Sequence, residues 1–93
     1  MLEKETLKEI VRSLLNGVIP EVPGVEIEHE RGREEGYRGF EYPSIDIYRI
    51  YFDDEQIGEV EIVEETTWGE WSVNSFVQIE IYGKTYSPYE FLE

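Results

Sequence analysis

The sequence predicts an α+β domain, with an N-terminal helix packed on one face of a four- to five-stranded antiparallel meander and a short C-terminal helical turn. Three patterns carry that expectation. Residues 2–16 repeat apolar side chains at helical spacing, residues 25–81 alternate apolar and polar positions in short runs joined by turn residues, and Ser-Pro-Tyr-Glu near the end is a helix-start signature. With 93 residues, one domain is expected over 1–93. A chain of this size buries roughly 60% of its unfolded surface, so the core is small.

The helix rests on Leu7, Ile10, Val11, Leu14 and Leu15, which form a single stripe at i, i+3, i+4, i+7 and i+8. Glu3 and Glu5 suit its N-terminal dipole end, and Asn16-Gly17 is a left-handed stop. VIPEVPG at 18–24 is an extended connector, because Pro20 and Pro23 fix φ and push the residues before them out of the helical region. In the first strand Val25, Ile27 and His29 alternate with Glu26, Glu28 and Glu30, and RGREEG follows as a turn. YRGFEY at 37–42 reads as a short second strand. IDIYRIYF at 45–52 is a strand by its β-branched and aromatic content, yet its phase changes: Ile45 and Ile47 point one way, Ile50 and Phe52 the other. Such a strand either bulges or is covered on both faces over part of its length.

The acidic turn DDE or DDEQ then leads into GEVEIVEE at 58–65, which sends Val60 and Ile62 to one face and Glu59 and Glu61 to the other. A three-residue loop would set Arg49 opposite Glu59 and Tyr48 opposite Val60. Val73, Val77, Ile79 and Ile81 alternate with Asn74, Gln78 and Glu80 in a last long strand. In TYSPYEFLE, Ser87 is a candidate N-cap, Pro88 fits N1, and Glu90 completes a capping box. Tyr86 and Phe91 occupy the positions of a hydrophobic staple.

Composition limits the chemistry. No apolar run approaches the roughly 18 residues of a membrane span, and MLEKETLKE is too charged for a signal peptide, so a cytoplasmic protein without membrane contact is expected. The absence of Cys excludes disulfides, thiolate catalysis and zinc-thiolate sites. His29 is the single His, and strand alternation sends Glu28 and Glu30 away from it; the acidic turn at 53–55 lacks the spacing of a calcium loop; no phosphate-binding glycine loop is present. No catalytic residue, metal or cofactor is therefore expected, and the chain is read as a non-enzyme. Arg31, Arg33 and Arg38, with Tyr37 and Phe40, superficially resemble an RNA-contacting loop. Glu34 and Glu35 sit among them and the net charge repels phosphate, so they read as a turn whose Arg residues neutralise neighbouring Glu, and direct nucleic-acid binding is not expected.

The outlying quantity is charge: 22 acidic against 8 basic residues leave −14. Only Asp46, Asp53 and Asp54 are Asp and only Lys4, Lys8 and Lys84 are Lys, a balance that fits neither halophilic nor hyperthermophilic habit. Acids and bases cancel in the helix, which places the whole excess in the sheet region. If Glu26, Glu28, Glu30, Glu59, Glu61 and Glu80 share one face, carboxylates recur about every 6.7 Å along a strand and about 4.8 Å between strands. Spacings of that order match those of backbone phosphates. A basic partner would relieve the repulsion and be steered in rapidly. Trp68 and Trp71, flanking the turn in TWGEW, are candidate interface anchors.

In size and charge the chain resembles small acidic inhibitors of phages and mobile elements, nucleic-acid mimics and anti-CRISPR proteins among them, and immunity proteins that neutralise basic toxins. The resemblance is one of composition and brings no motif and no residue roles. It implies a binding protein that occupies the basic, nucleic-acid-binding surface of a nuclease or another nucleic-acid-handling protein, as a monomer or homodimer. The alternative is an adaptor module that uses the Trp loop, the C-terminal segment or a sheet edge, with acidity serving solubility.

Overall fold

The computed structural model describes residues 2–67 and 72–91. Helix α1 (Lys4–Leu15) precedes strands β1 (Val25–Arg33), β2 (Ser44–Phe52), β3 (Glu55–Thr67), β4 (Ser72–Ile81) and β5 (Lys84–Tyr86), with single 3-10 turns at Tyr37–Gly39 and Pro88–Glu90. The strands lie in sequence order and every neighbouring pair is antiparallel. This is the helix-on-meander architecture the patterns predict, including the short C-terminal turn.

The stripe of α1 does what its spacing requires. Ile10, Val11 and Leu14 are fully buried and pack with Tyr48, Ile50, Val60, Ile79 and Ile81. Each such side chain contributes about 1.5–3 kcal/mol by leaving water. The helix ends in a Schellman motif: the Gly17 N–H bonds the Leu14 carbonyl at 3.0 Å and the Val18 N–H bonds that of Ser13 at 2.9 Å, with Gly17 at φ 74°. At the other end of the chain Ser87 accepts from the Tyr89 N–H at 3.3 Å while the Glu90 carboxylate accepts from the Ser87 N–H at 2.9 Å. Tyr86 and Phe91 meet edge-on at 5.7 Å. Phe91 is buried in the main core, and its carbonyl accepts from Arg12 Nε at 2.8 Å, which ties the end of the chain to α1.

Length explains how the sheet is covered. Twelve helical residues span about 18 Å, whereas the thirteen residues of β3 span about 44 Å. One helix cannot shield such a sheet, and α1 covers only the part nearest the β2–β3 turn. At the opposite end and on the opposite face, residues 34–43 fold back over the strands. There Pro43 and Val63 are fully buried and Ile45 is nearly so. The phase change in β2 follows from this arrangement. Ile45 and Ile47 face the 34–43 segment, while Tyr48, Ile50 and Phe52 face the helix side, so the strand is covered on both faces in succession.

The expected pairing of β2 with β3 is present, reached by a different route. Arg49 is opposite Glu59 and Tyr48 opposite Val60, but the connection is a two-residue turn, with Asp53 at φ 50° and Asp54 at φ 65°, rather than a three-residue loop. The missing residue is restored by a bulge: Tyr51 pairs Gln56 and Ile50 pairs Gly58, so Ile57 is extra and turns into the core. Gly58 is required next to it, because a Cβ there would stand 2.8 Å from the Glu80 carbonyl oxygen.

Two further expectations are corrected. YRGFEY is not a strand: Gly36, Arg38 and Gly39 all adopt positive φ, and the chain forms a 3-10 turn inside the covering segment. β1 continues through Arg33, so the turn that RGREEG was expected to form begins later. The fifth strand is instead β5, entered through Tyr82 at φ 47° and Gly83 at φ 78°. Trp68 and Trp71 lie outside the described residues.

A divided carboxylate face as candidate interface

Strand alternation and register place the predicted acids on one face of the sheet, opposite α1. One row crosses four strands as Glu28, Arg49, Glu59 and Glu80, and the next as Glu30, Ile47, Glu61 and Gln78. Glu26 lies beside Tyr51 at the end nearest the β2–β3 turn. The six glutamates thus share a face as expected, but the face is divided in two.

Near the β2–β3 turn it is open. Glu26, Glu28, Glu30 and Glu80 are exposed and Glu59 is half-buried. The single cation among them is Arg49, whose guanidinium reaches toward β1, donating to Glu28 Oε1 at 3.1 Å and Glu30 Oε2 at 3.0 Å. Those two carboxylates raise the Arg49 pKa. Glu59 and Glu80 are left directly opposite one another, and among the described residues no cation lies within ion-pair distance of either. Directly opposed like charges on adjacent strands, with Cβ atoms about 5 Å apart, destabilise the sheet.

At the far end the same face is closed. Glu61 is not an outward acid available to a partner; its side chain is 10% exposed under the 34–43 segment. Arg38 grips it with both arms of the guanidinium, Nε to Oε2 at 2.7 Å and Nη2 to Oε1 at 2.9 Å. Tyr37 adds its hydroxyl at 2.6 Å. The Arg38 guanidinium also lies 4.4 Å above the Phe76 ring and donates to Gln78 at 3.0 Å. The Tyr42 N–H, further along the segment, donates to Glu65 at 2.8 Å. The hydrogen bonds from Arg38 hold the Glu61 carboxyl below the usual carboxylate range, against the opposing effect of burial. Donation to Glu61 likewise pushes the Tyr37 phenol up, and the Arg38 guanidinium is raised for the same reason. Arg38 reaches this position at φ 50°, a left-handed backbone costing about 1–2 kcal/mol that the bidentate contact must offset.

The three arginines of the presumed turn are dispersed. Arg31 lies 3.5 Å from Asp46, Arg33 stands 5.7 Å over the Tyr42 ring, and Arg38 serves Glu61. Their partners are distant in sequence, so they do not simply neutralise Glu34 and Glu35. His29 stacks on Tyr48 with ring centroids 4.2 Å apart and pairs with Asp46 at 2.8 Å. It lies on the helix side, away from Glu28 and Glu30. Among the described residues no group of His, Asp and Glu converges in a way that would hold a metal ion, and no helix is long and apolar enough to cross a membrane.

Compared with known protein families, curated proteins and solved structures, the chain matches none.

Proposed function

We propose that the protein is a non-enzymatic acidic binding protein, which uses the open half of its carboxylate face to occupy a basic, nucleic-acid-binding surface of a partner protein. The observation that carries the reading is the row Glu28, Arg49, Glu59 and Glu80, where three carboxylates share one cation across four strands. Opposed Glu59 and Glu80 disfavour the isolated fold, so their retention on an open surface suits a role outside it. A lysine- or arginine-lined groove supplies the cations the row lacks, and the net charge of −14 steers such a partner in. The inhibitor or nucleic-acid-mimic role belongs to this reading, as does action by occupancy rather than by chemistry.

The test is capture from a lysate at about 50 and 200 mM salt with the native protein and with the double variant Glu59→Lys, Glu80→Lys. The reading expects a nucleic-acid-handling protein retained at low salt, released at high salt and lost with the variant. Equal retention by native protein and variant, insensitive to salt, would remove the acidic face from the interaction.

A further inference from the structure

One edge of the sheet, β1, is guarded only by its charged side chains. β1 pairs with β2 through all nine of its residues in one unbroken register and, among the described residues, has no strand on its other side. Natural edges of this length are commonly blunted by charged side chains, bulges, proline or a covering segment. β1 has neither bulge nor proline, and residues 34–43 make their hydrogen bonds to β3 and β4 and meet β1 only at its end, where Arg33 stands over Tyr42. Its outward-facing backbone groups can be assigned. The Asp53 N–H bonds the Gly24 carbonyl at 3.4 Å, while the Val25 N–H turns away from β2 to the Val22 carbonyl at 3.0 Å. Alternation of an antiparallel ladder then directs the N–H and C=O of Ile27, His29 and Arg31 to the open side, and those of Glu26, Glu28 and Glu30 toward β2.

The side chains say what could pair there. A second copy of β1 in antiparallel pairing would bring both sets of Glu26, Glu28 and Glu30 onto one face, so self-pairing is opposed by charge. A strand with Lys or Arg at every second position is complementary. Its cations would fall opposite the three glutamates in non-hydrogen-bonded pairs, the closer of the two kinds, while its intervening residues bond Ile27, His29 and Arg31 and share a face with half-buried Ile27. We infer that the free edge of β1 binds an extended basic segment of the partner by strand addition, with Lys or Arg alternating with apolar residues. The inference rests on the acidic-binder reading and gives it a location and a mode.

A synthetic peptide, Lys-Val-Lys-Tyr-Lys-Val-Lys, tests it, compared with the same peptide N-methylated at its Val and Tyr residues, which keeps every charge and removes the edge-facing donors. Binding is followed by amide hydrogen exchange and backbone NMR shifts of the full chain. The expected result is that the amides of Ile27, His29 and Arg31 gain protection while Glu26, Glu28 and Glu30 are protected with or without peptide. The methylated peptide should bind at least about tenfold more weakly. Equal binding of both peptides, without added protection of β1, would overturn strand addition while leaving electrostatic association intact. Failure of both peptides to bind, with a basic protein still captured in a salt-dependent way, would sink the edge inference alone. Protection of the three edge amides in free protein that sediments as a dimer would show that the edge is occupied by a second copy, and would overturn it as well.

Discussion

Glu59 and Glu61 sit two residues apart on one strand, face the same way, and have opposite fates. Glu61 is enclosed by an arginine, a tyrosine and a loop. Glu59 looks across at Glu80 with its cross-strand arginine turned toward β1. Alternation assigns both to one surface and cannot tell them apart, because what separates them is a segment that leaves the sheet after β1 and returns over one end of it. In one half of the face charge has been converted into structure; in the other it is left unspent. The same division explains why the total of −14 overstates the charge a partner would meet, since Glu28 and Glu30 are also partly neutralised by Arg49.

The comparison breaks most visibly at Arg38. Arg38→Ala leaves the covered Glu61 carboxylate without its cation and should cost about 2 kcal/mol in chemical denaturation, less than a fully enclosed pair because Arg38 itself stays partly open to water. Glu59→Ala, two residues away, should change stability by under about 0.5 kcal/mol. Arg38→Met with Glu61→Leu should recover most of the loss, since removing both charges leaves neither stranded. Equal effects at Glu59 and Glu61 would erase the distinction between the two halves.

Acid should then close the gap between native protein and Arg38→Ala. The Glu61 carboxyl is lowered in the folded state, so its contribution is present above its ordinary value of 4.5 and is lost as pH falls through the folded value. Unfolding free energies of the two proteins should therefore differ most near pH 7 and converge as the pH falls well below 4.5. A difference constant from pH 7 to pH 3 would mean that Arg38 acts by packing on Phe76 rather than through Glu61.

A neutral contact calibrates these electrostatic ones. Ser87→Ala removes the cap of the C-terminal turn and should cost about 1 kcal/mol, equally at low and high salt, because no net charge changes. A cost that shrank with added salt would point to the Glu90 carboxylate rather than the hydroxyl as the main contributor.

Most of the architecture is legible in the residues. The α1 stripe, the Asn16-Gly17 stop, the capping box with its staple and the Arg49–Glu59 register follow from periodicity and local chemistry. What escaped is non-local. Tyr37 and Phe40 have strand propensity, and only the glycines at 36 and 39 hint that the backbone turns left-handed there; Tyr37 instead reaches the distant Glu61 on β3. The phase change in β2 did signal covers on both faces, but not that its own preceding loop supplies the second. Arg38 could be read as a turn residue, whereas its pairing with Glu61 depends on contact across 23 positions. At the acidic turn the correct register was reachable from charge matching, while the two-residue turn and the Ile57 bulge give the same pairing as a three-residue loop and leave no separate trace in the pattern.

The smallest effect on stability is the most informative about the open half. Glu59→Lys with Glu80→Ala turns an opposed like pair into a cation flanked by Arg49 on β2 and a small neutral residue on β4, so one repulsion is exchanged for a weaker one and stability should move by no more than about 0.5 kcal/mol. Glu80→Lys alone instead creates an opposite-charge pair with Glu59 and should raise the melting temperature slightly at low salt, with the gain fading as salt is added. The native protein should respond in the reverse sense, its melting temperature rising as salt screens Glu59 from Glu80. If Glu80→Lys is destabilising at low salt, the two carboxylates are not in repulsive contact, and the surplus of the open half does not come from that pair.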